Sequence, residues 1–145
     1  MRLRLRDEEG STLPLVAGFG AFALALVLVA AAASSLYLER KRLFTLADGA
    51  ALVGAEAFEL ADVVVTDGMP AVELDPGDVN REVREFVDGA PRGGFEALVL
   101  EEATSRDGES ATVTLSAIWR PPVVTVFFPE GWRIQATATA RTVFR

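Results

Sequence analysis

The sequence predicts an α+β protein: one long N-terminal helix whose first half crosses a membrane, then a small three-stranded antiparallel sheet. Three observations carry this. An uncharged run of 28 residues extends from Ser11 to Leu38. Beyond it, apolar residues continue at three- and four-residue steps, the period of a helix with one buried face. Farther on, two segments alternate apolar and polar residues, the period of a half-buried strand.

The uncharged run would span about 42 Å as a helix, more than the ~30 Å of a bilayer's hydrocarbon layer. No charged face interrupts it, so a small soluble domain would struggle to bury it. Pro14 falls in the first turn, where a missing N–H costs nothing, and Tyr37 falls near the far interface, where aromatic rings favour the headgroup level. A cleaved secretory signal is the rival reading, given the Arg-rich start and the small residues Ala31 to Ser35. Signal cores run only about 7–15 residues, so a retained anchor is expected. The expected organisation is a leader at 1–10, a transmembrane helix at 11–38, an amphipathic extension at 39–62 and a small α+β domain at 63–145.

In the extension, Leu43, Leu46, Ala47, Ala50, Ala51, Ala57 and Phe58 form the apolar stripe, a helix-packing face that the rest of the chain is expected to cover. Gly49 and Gly54 each weaken a helix by about 1 kcal/mol relative to Ala, and a bend there is allowed. Val63 to Thr66 reads as an extended exit, followed by turns at Asp67–Pro70 and Asp75–Gly77. Asp78 is the expected cap of a second helix carrying Val79, Val83, Phe86 and Val87 on one face. Phe95 to Ala103 is the first expected strand. Arg106-Asp107-Gly108-Glu109 is a hairpin turn, since Asp-Gly suits positive φ. Ala111 to Trp119 and Trp132 to Phe144 complete the sheet, with Ile134, Ala136, Ala138 and Ala140 on the inward face of the last strand.

Composition excludes several functions. With no Cys and no His, the chain cannot hold thiolate or imidazole metal sites, disulfides or His-based triads. No nucleophile–base set is recognisable, so an enzyme is not expected and no cofactor or small-molecule substrate is implied. Three of the 14 basic residues and three of the 21 acidic ones lie in the first ten positions, so the net charge of −7 falls entirely after Leu38. An acidic domain repels phosphate backbones, which argues against nucleic acid. Glu73, Asp75 and Asp78 are too sparse for a calcium loop, and the adjacent Glu101 and Glu102 should face opposite sides of a strand. Lys41, with Arg40 and Arg42, suits snorkelling to lipid headgroups. Trp119, Phe127, Phe128 and Trp132 flank the Pro121-Pro122 break and are either core or a contact patch for a partner subunit.

Charge does not orient the helix, because three basic residues lie on each side of the apolar run. The leader ending Asp7-Glu8-Glu9-Gly10-Ser11, the helix exit Leu36-Tyr37-Leu38-Glu39-Arg40-Lys41-Arg42-Leu43 and the following Leu46-Ala47-Asp48-Gly49-Ala50-Ala51-Leu52 resemble the N-terminal region of TadE/TadG-like pilus-assembly proteins, pilin-like components of Flp-type pili and related secretion systems. The last strand, Ile134 to Ala140, is similar to the Ala/Thr-rich final strand of such proteins. The resemblance implies a pilin-like domain, a cytoplasmic N-terminus and an extracytoplasmic C-terminal domain in the bacterial cytoplasmic membrane. It implies pilin-like subunits and an inner-membrane assembly platform as partners, besides membrane lipid. It makes Gly10 and Ser11 a prepilin-type cleavage junction. However, the fifth residue after that junction is Leu15, where processed pilins carry Glu, so an uncleaved TadG-like anchor is implied. The alternative is a bitopic envelope protein with an acidic ligand- or cation-binding domain.

Overall fold

The computed structural model describes residues 12–58, 63–66, 69–91, 94–121, 125 and 129–142. The chain begins with one unbroken helix, α1 (Leu13–Ala55), of 43 residues, with Pro14 in its first turn. At 1.5 Å per residue it is about 65 Å long. A two-stranded antiparallel ribbon follows, β1 (Val63–Thr66) with β2 (Met69–Val72), and then a 14-residue helix, α2 (Pro76–Gly89). Three ten-residue strands close the chain: β3 (Glu96–Ser105), β4 (Ser110–Trp119) and β5 (Trp132–Arg141), antiparallel in the order β3-β4-β5. The architecture is α+β, as the sequence predicts.

One core joins these elements. α1 lies over β4 and β5, α2 lies over β3, and the two helices touch. Val113, Leu115 and Ala117 of β4 and Ala136, Ala138 and Ala140 of β5 point inward, as their alternation predicts. They share the core with Leu43, Ala47, Ala50 and Ala51 of α1 and with Val79 and Val83 of α2. Most inward positions under α1 are alanines, so helix and sheet backbones can approach closely. The lengths match as well. From Ser35 to Ala55 the helix rises about 30 Å, and ten residues of β5 extend about 34 Å.

Four local expectations change. α1 ends at Ala55 rather than near residue 61, so Ala57 and Phe58 lie beyond the helix, although Ala57 is buried and Phe58 packs against the core. The Thr142 hydroxyl donates to the Ala55 carbonyl at 2.6 Å, so the end of β5 satisfies a terminal helix acceptor. The cap of α2 is Asp75, not Asp78. Asp75 Oδ1 accepts from the Gly77 and Asp78 N–H groups at 2.7 and 3.2 Å, Pro76 takes the first turn, and Asp78 pairs with Arg81 at 2.5 Å. Pro70 sits within β2, paired with Val65, rather than in a turn. Finally, the β3–β4 register shifts between Leu100 and Glu102. That irregularity breaks the alternation, so Glu101 and Glu102 both reach the outer face: Glu101 meets Ser116 and Arg133, and Glu102 meets Arg106.

The two helix glycines serve different ends. A Cβ on Gly54 would lie 3.0 Å from Ala111 Cβ and Val83 Cγ2 and 3.2 Å from Val79 Cγ1, where α1, α2 and β4 meet. A Cβ on Gly49 would lie 3.5 Å from the tip of the Phe86 ring, an ordinary contact. Neither interrupts the helix. Gly49→Ala is therefore expected to stabilise the fold by up to about 1 kcal/mol through helix propensity. Gly54→Ala is expected to destabilise it, because overpacking of about 1–3 kcal/mol outweighs that gain. Thermal unfolding of both variants in one detergent, followed by near-ultraviolet circular dichroism, checks the opposite signs.

The β3–β4 hairpin has a pH signature. Asp107 accepts from the N–H of Glu109 (2.9 Å), the N–H of Ser110 (2.7 Å) and the Ser110 hydroxyl (2.9 Å), and these bonds hold its carboxyl below the usual aspartate range. A depressed folded value means the contribution is present above the unfolded value and is lost as pH falls through the folded one. In acid titration of stability, Asp107→Asn should flatten the lowest-pH part of the wild-type curve and leave its shape near neutrality unchanged.

Candidate functional site

Among the described residues, none outside α1 covers its first part. Leu13, Leu15, Val16, Phe19, Phe22, Leu24, Leu26, Val27 and Val29 are all exposed, although a soluble fold would bury such residues. The most apolar 18-residue window of the helix has a mean hydropathy of 2.5, and none of it is buried among the described residues. Its length and composition suit a membrane crossing. Within the uncharged run the Ser34 hydroxyl donates to the Ala30 carbonyl at 2.9 Å, which satisfies that polar group inside the helix.

The predicted helix-packing residues divide. Leu43, Ala47, Ala50 and Ala51 are fully buried against the chain's own sheet and α2, and Leu46 packs partly against the same core. Ala57 and Phe58 belong to that core from beyond the helix end. On α1 beyond the uncharged run, the large apolar side chains left exposed are Phe44 and Leu52.

Of the aromatic patch, Phe127 and Phe128 lie outside the described residues, as do Gly10 and Ser11 at the leader junction. Trp119 and Trp132 are brought together as facing residues of β4 and β5, their rings stacked with centroids 6.0 Å apart. The turn leading into Trp132 requires Gly131. Its φ is +68°, and a Cβ there would sit 2.7 Å from the Trp119 carbonyl oxygen. The indole Nε1–H of Trp119 donates to Ser35 Oγ on α1 at 3.3 Å. This bond ties the near end of the sheet to the last turns of the uncharged run and places the tryptophan pair where that run ends. Arg120 pairs with Glu96 at 2.8 Å and Arg133 with Glu101 at 3.7 Å at the same end of the sheet.

The described polar side chains at this end of the sheet are engaged with one another. Ser116 Oγ donates to Glu101 at 2.5 Å and accepts from Arg133 at 2.7 Å, forming a link across the three strands. Asp75 and Asp78 are engaged as a helix cap and an ion pair. Among the described residues no three carboxylates converge as a metal-ligand set. The features that remain are surfaces: the bare helix, the tryptophan pair, and a cleft beside α1 that the linear sequence does not reveal. Tyr37, Arg40, Lys41 and Phe44 line that cleft from the helix, and Gln135 and Thr137 line it from β5, around about 550 Å³. The spacing 37, 40, 41, 44 marks one helix face, but the strand wall comes from nearly a hundred residues away.

Residues 10–57 match the model of a family described as putative Flp pilus-assembly TadE/G-like. The matched stretch contains all of α1 and ends two residues past it. Comparison with curated proteins and with solved structures gives no match. The family match and the long apolar helix together support a membrane-anchored protein related to Flp pilus assembly.

Trp119 and Trp132 are the chain's two tryptophans, so its indole fluorescence reports on this end of the sheet alone. In bilayers the emission should be quenched best by lipids brominated near the headgroup end of the acyl chain, and Trp119→Phe should remove part of the signal without shifting the depth. Equal quenching by aqueous acrylamide in bilayer and in buffer-exposed detergent would contradict this placement.

Proposed function

We propose that the chain, two-thirds of which lies outside the family match, is a non-enzymatic, pilin-like structural component of a Flp/Tad-type pilus assembly or related secretion apparatus. It is anchored in the bacterial cytoplasmic membrane by the first half of α1, with its N-terminus in the cytoplasm and its sheet domain outside. The observation that carries this reading is that the family match falls on the helix whose lower half no other described part of the chain covers. In lipid, apolar burial no longer drives helices together, so contacts with neighbouring subunits depend on close packing of small residues. Ala30 to Ser35 offer such a stretch. The alanine stripe higher up serves the chain's own sheet, so lateral contacts fall to the lower helix and to the flank bearing the exposed Leu52.

Two measurements test this. Photoreactive phenylalanine analogues at Phe22 and Leu52 should crosslink to other subunits of the pilus apparatus in native membranes, and one at Ala47 should not. Orientation is checked on the cysteine-free chain by Glu85→Cys, a substitution on an exposed α2 position. A membrane-impermeant maleimide should label it once the outer envelope is opened while the cytoplasmic membrane stays intact. Labelling only after lysis of that membrane would reverse the orientation.

A further inference from the structure

We propose that the cleft between α1 and β5 binds the phosphate of an anionic phospholipid headgroup. The inference rests on the membrane-anchor reading and adds a specific ligand to it. Among the described residues, every other basic side chain except Arg84 has a carboxylate within 4.0 Å, whereas Arg40 and Lys41 have none. Arg84 hydrogen-bonds Asn80 on α2. The two unpaired cations therefore stand in the same cleft, one turn above Tyr37. In a domain that holds the whole net charge of −7, such a pair is the local exception.

Their position selects the ligand. The uncharged run ends at Leu38, and the Trp119–Ser35 bond holds the sheet at that level. Arg40 and Lys41 follow within about 5 Å along the axis. Helical side chains tilt toward the helix N-terminus, which here is the membrane side, so both cations lean toward the headgroups. Tyr37 is 66% exposed and Phe44 49% exposed. Water is a poor neighbour for both rings, whereas the glycerol and upper acyl region of a lipid would cover them. From β5, the Gln135 amide adds a hydrogen-bond donor beside the cations, and Thr137 lines the wall next to it. Charge complementarity, height above the hydrocarbon and amphipathic walls all point to one occupant, a lipid whose headgroup carries a phosphate and a net negative charge.

The test uses the full chain in nanodiscs of phosphatidylcholine with or without an equal share of phosphatidylglycerol. Retained lipid is read by native mass spectrometry, and binding of a short-chain, soluble phosphatidylglycerol is read in detergent. Wild type should retain phosphatidylglycerol selectively. Arg40→Gln with Lys41→Gln should lower affinity for the soluble lipid by about thirtyfold, the sum of two interfacial charges. Gln135→Ala, a neutral change on the opposite wall, should lower it severalfold, and Arg84→Gln should leave it unchanged. Undiminished selectivity in the double variant overturns the proposal. Displacement of the lipid by inorganic phosphate at equal concentration overturns the lipid assignment in favour of a free anion. Failure of the wild type to enter either nanodisc overturns the anchor reading itself, a result distinct from entry without lipid selectivity.

Discussion

The structure depends on one contact, the close seating of a helix on a sheet through alanines. Ala47, Ala50 and Ala51 on α1 and Ala136, Ala138 and Ala140 on β5 are nearly or fully buried in one core. Alanine contributes little apolar area, roughly a methyl group each, so most of the apolar burial comes from Leu43, Leu74, Leu115 and the valines of α2 and β4. What the alanines provide is proximity: a single helix long enough to leave a membrane can still serve as the spine of a small domain. Gly54 extends the same logic to the point where both helices and β4 converge.

Much of this was legible in the linear chain, because its signals are periodic. The uncharged run, the three- and four-residue steps and the alternation in β4 and β5 each report a face, and a face needs only local spacing. Asp107-Gly108 likewise marks its hairpin locally. The misplaced details arise where two local signals compete. Asp75 and Asp78 are both capping residues, and Pro76 decides between them because proline fits the first helical turn. Pro70 reads as a turn residue but tolerates a place in a two-stranded ribbon, where one edge needs no donor. The neighbouring Glu101 and Glu102 escape the alternation rule because the register slips between Leu100 and Glu102.

The surfaces were less legible, since they are made of distant pairs. The contact of Trp119 with Ser35 spans 84 positions and that of Thr142 with Ala55 spans 87. No spacing rule reports either. The stripe Leu43–Ala51 reads from the sequence as a face that the rest of the chain covers, and the fold shows which residues do so, those of α2, β4 and β5. The basic triplet Arg40-Lys41-Arg42 looks uniform, yet Arg42 has Glu39 at 3.9 Å and the other two have no acid.

The two long-range hydrogen bonds give the domain a mechanical character. β5 begins beside Ser35 and ends at Thr142 on Ala55, so strand and helix run side by side in the same direction, fastened at each end. A pull between the anchor and the far tip of the domain is then directed along this seam. Such a load acts in shear on all the alanine contacts at once, instead of peeling them apart one at a time. Shared loading makes a seam of weak contacts stronger than its parts.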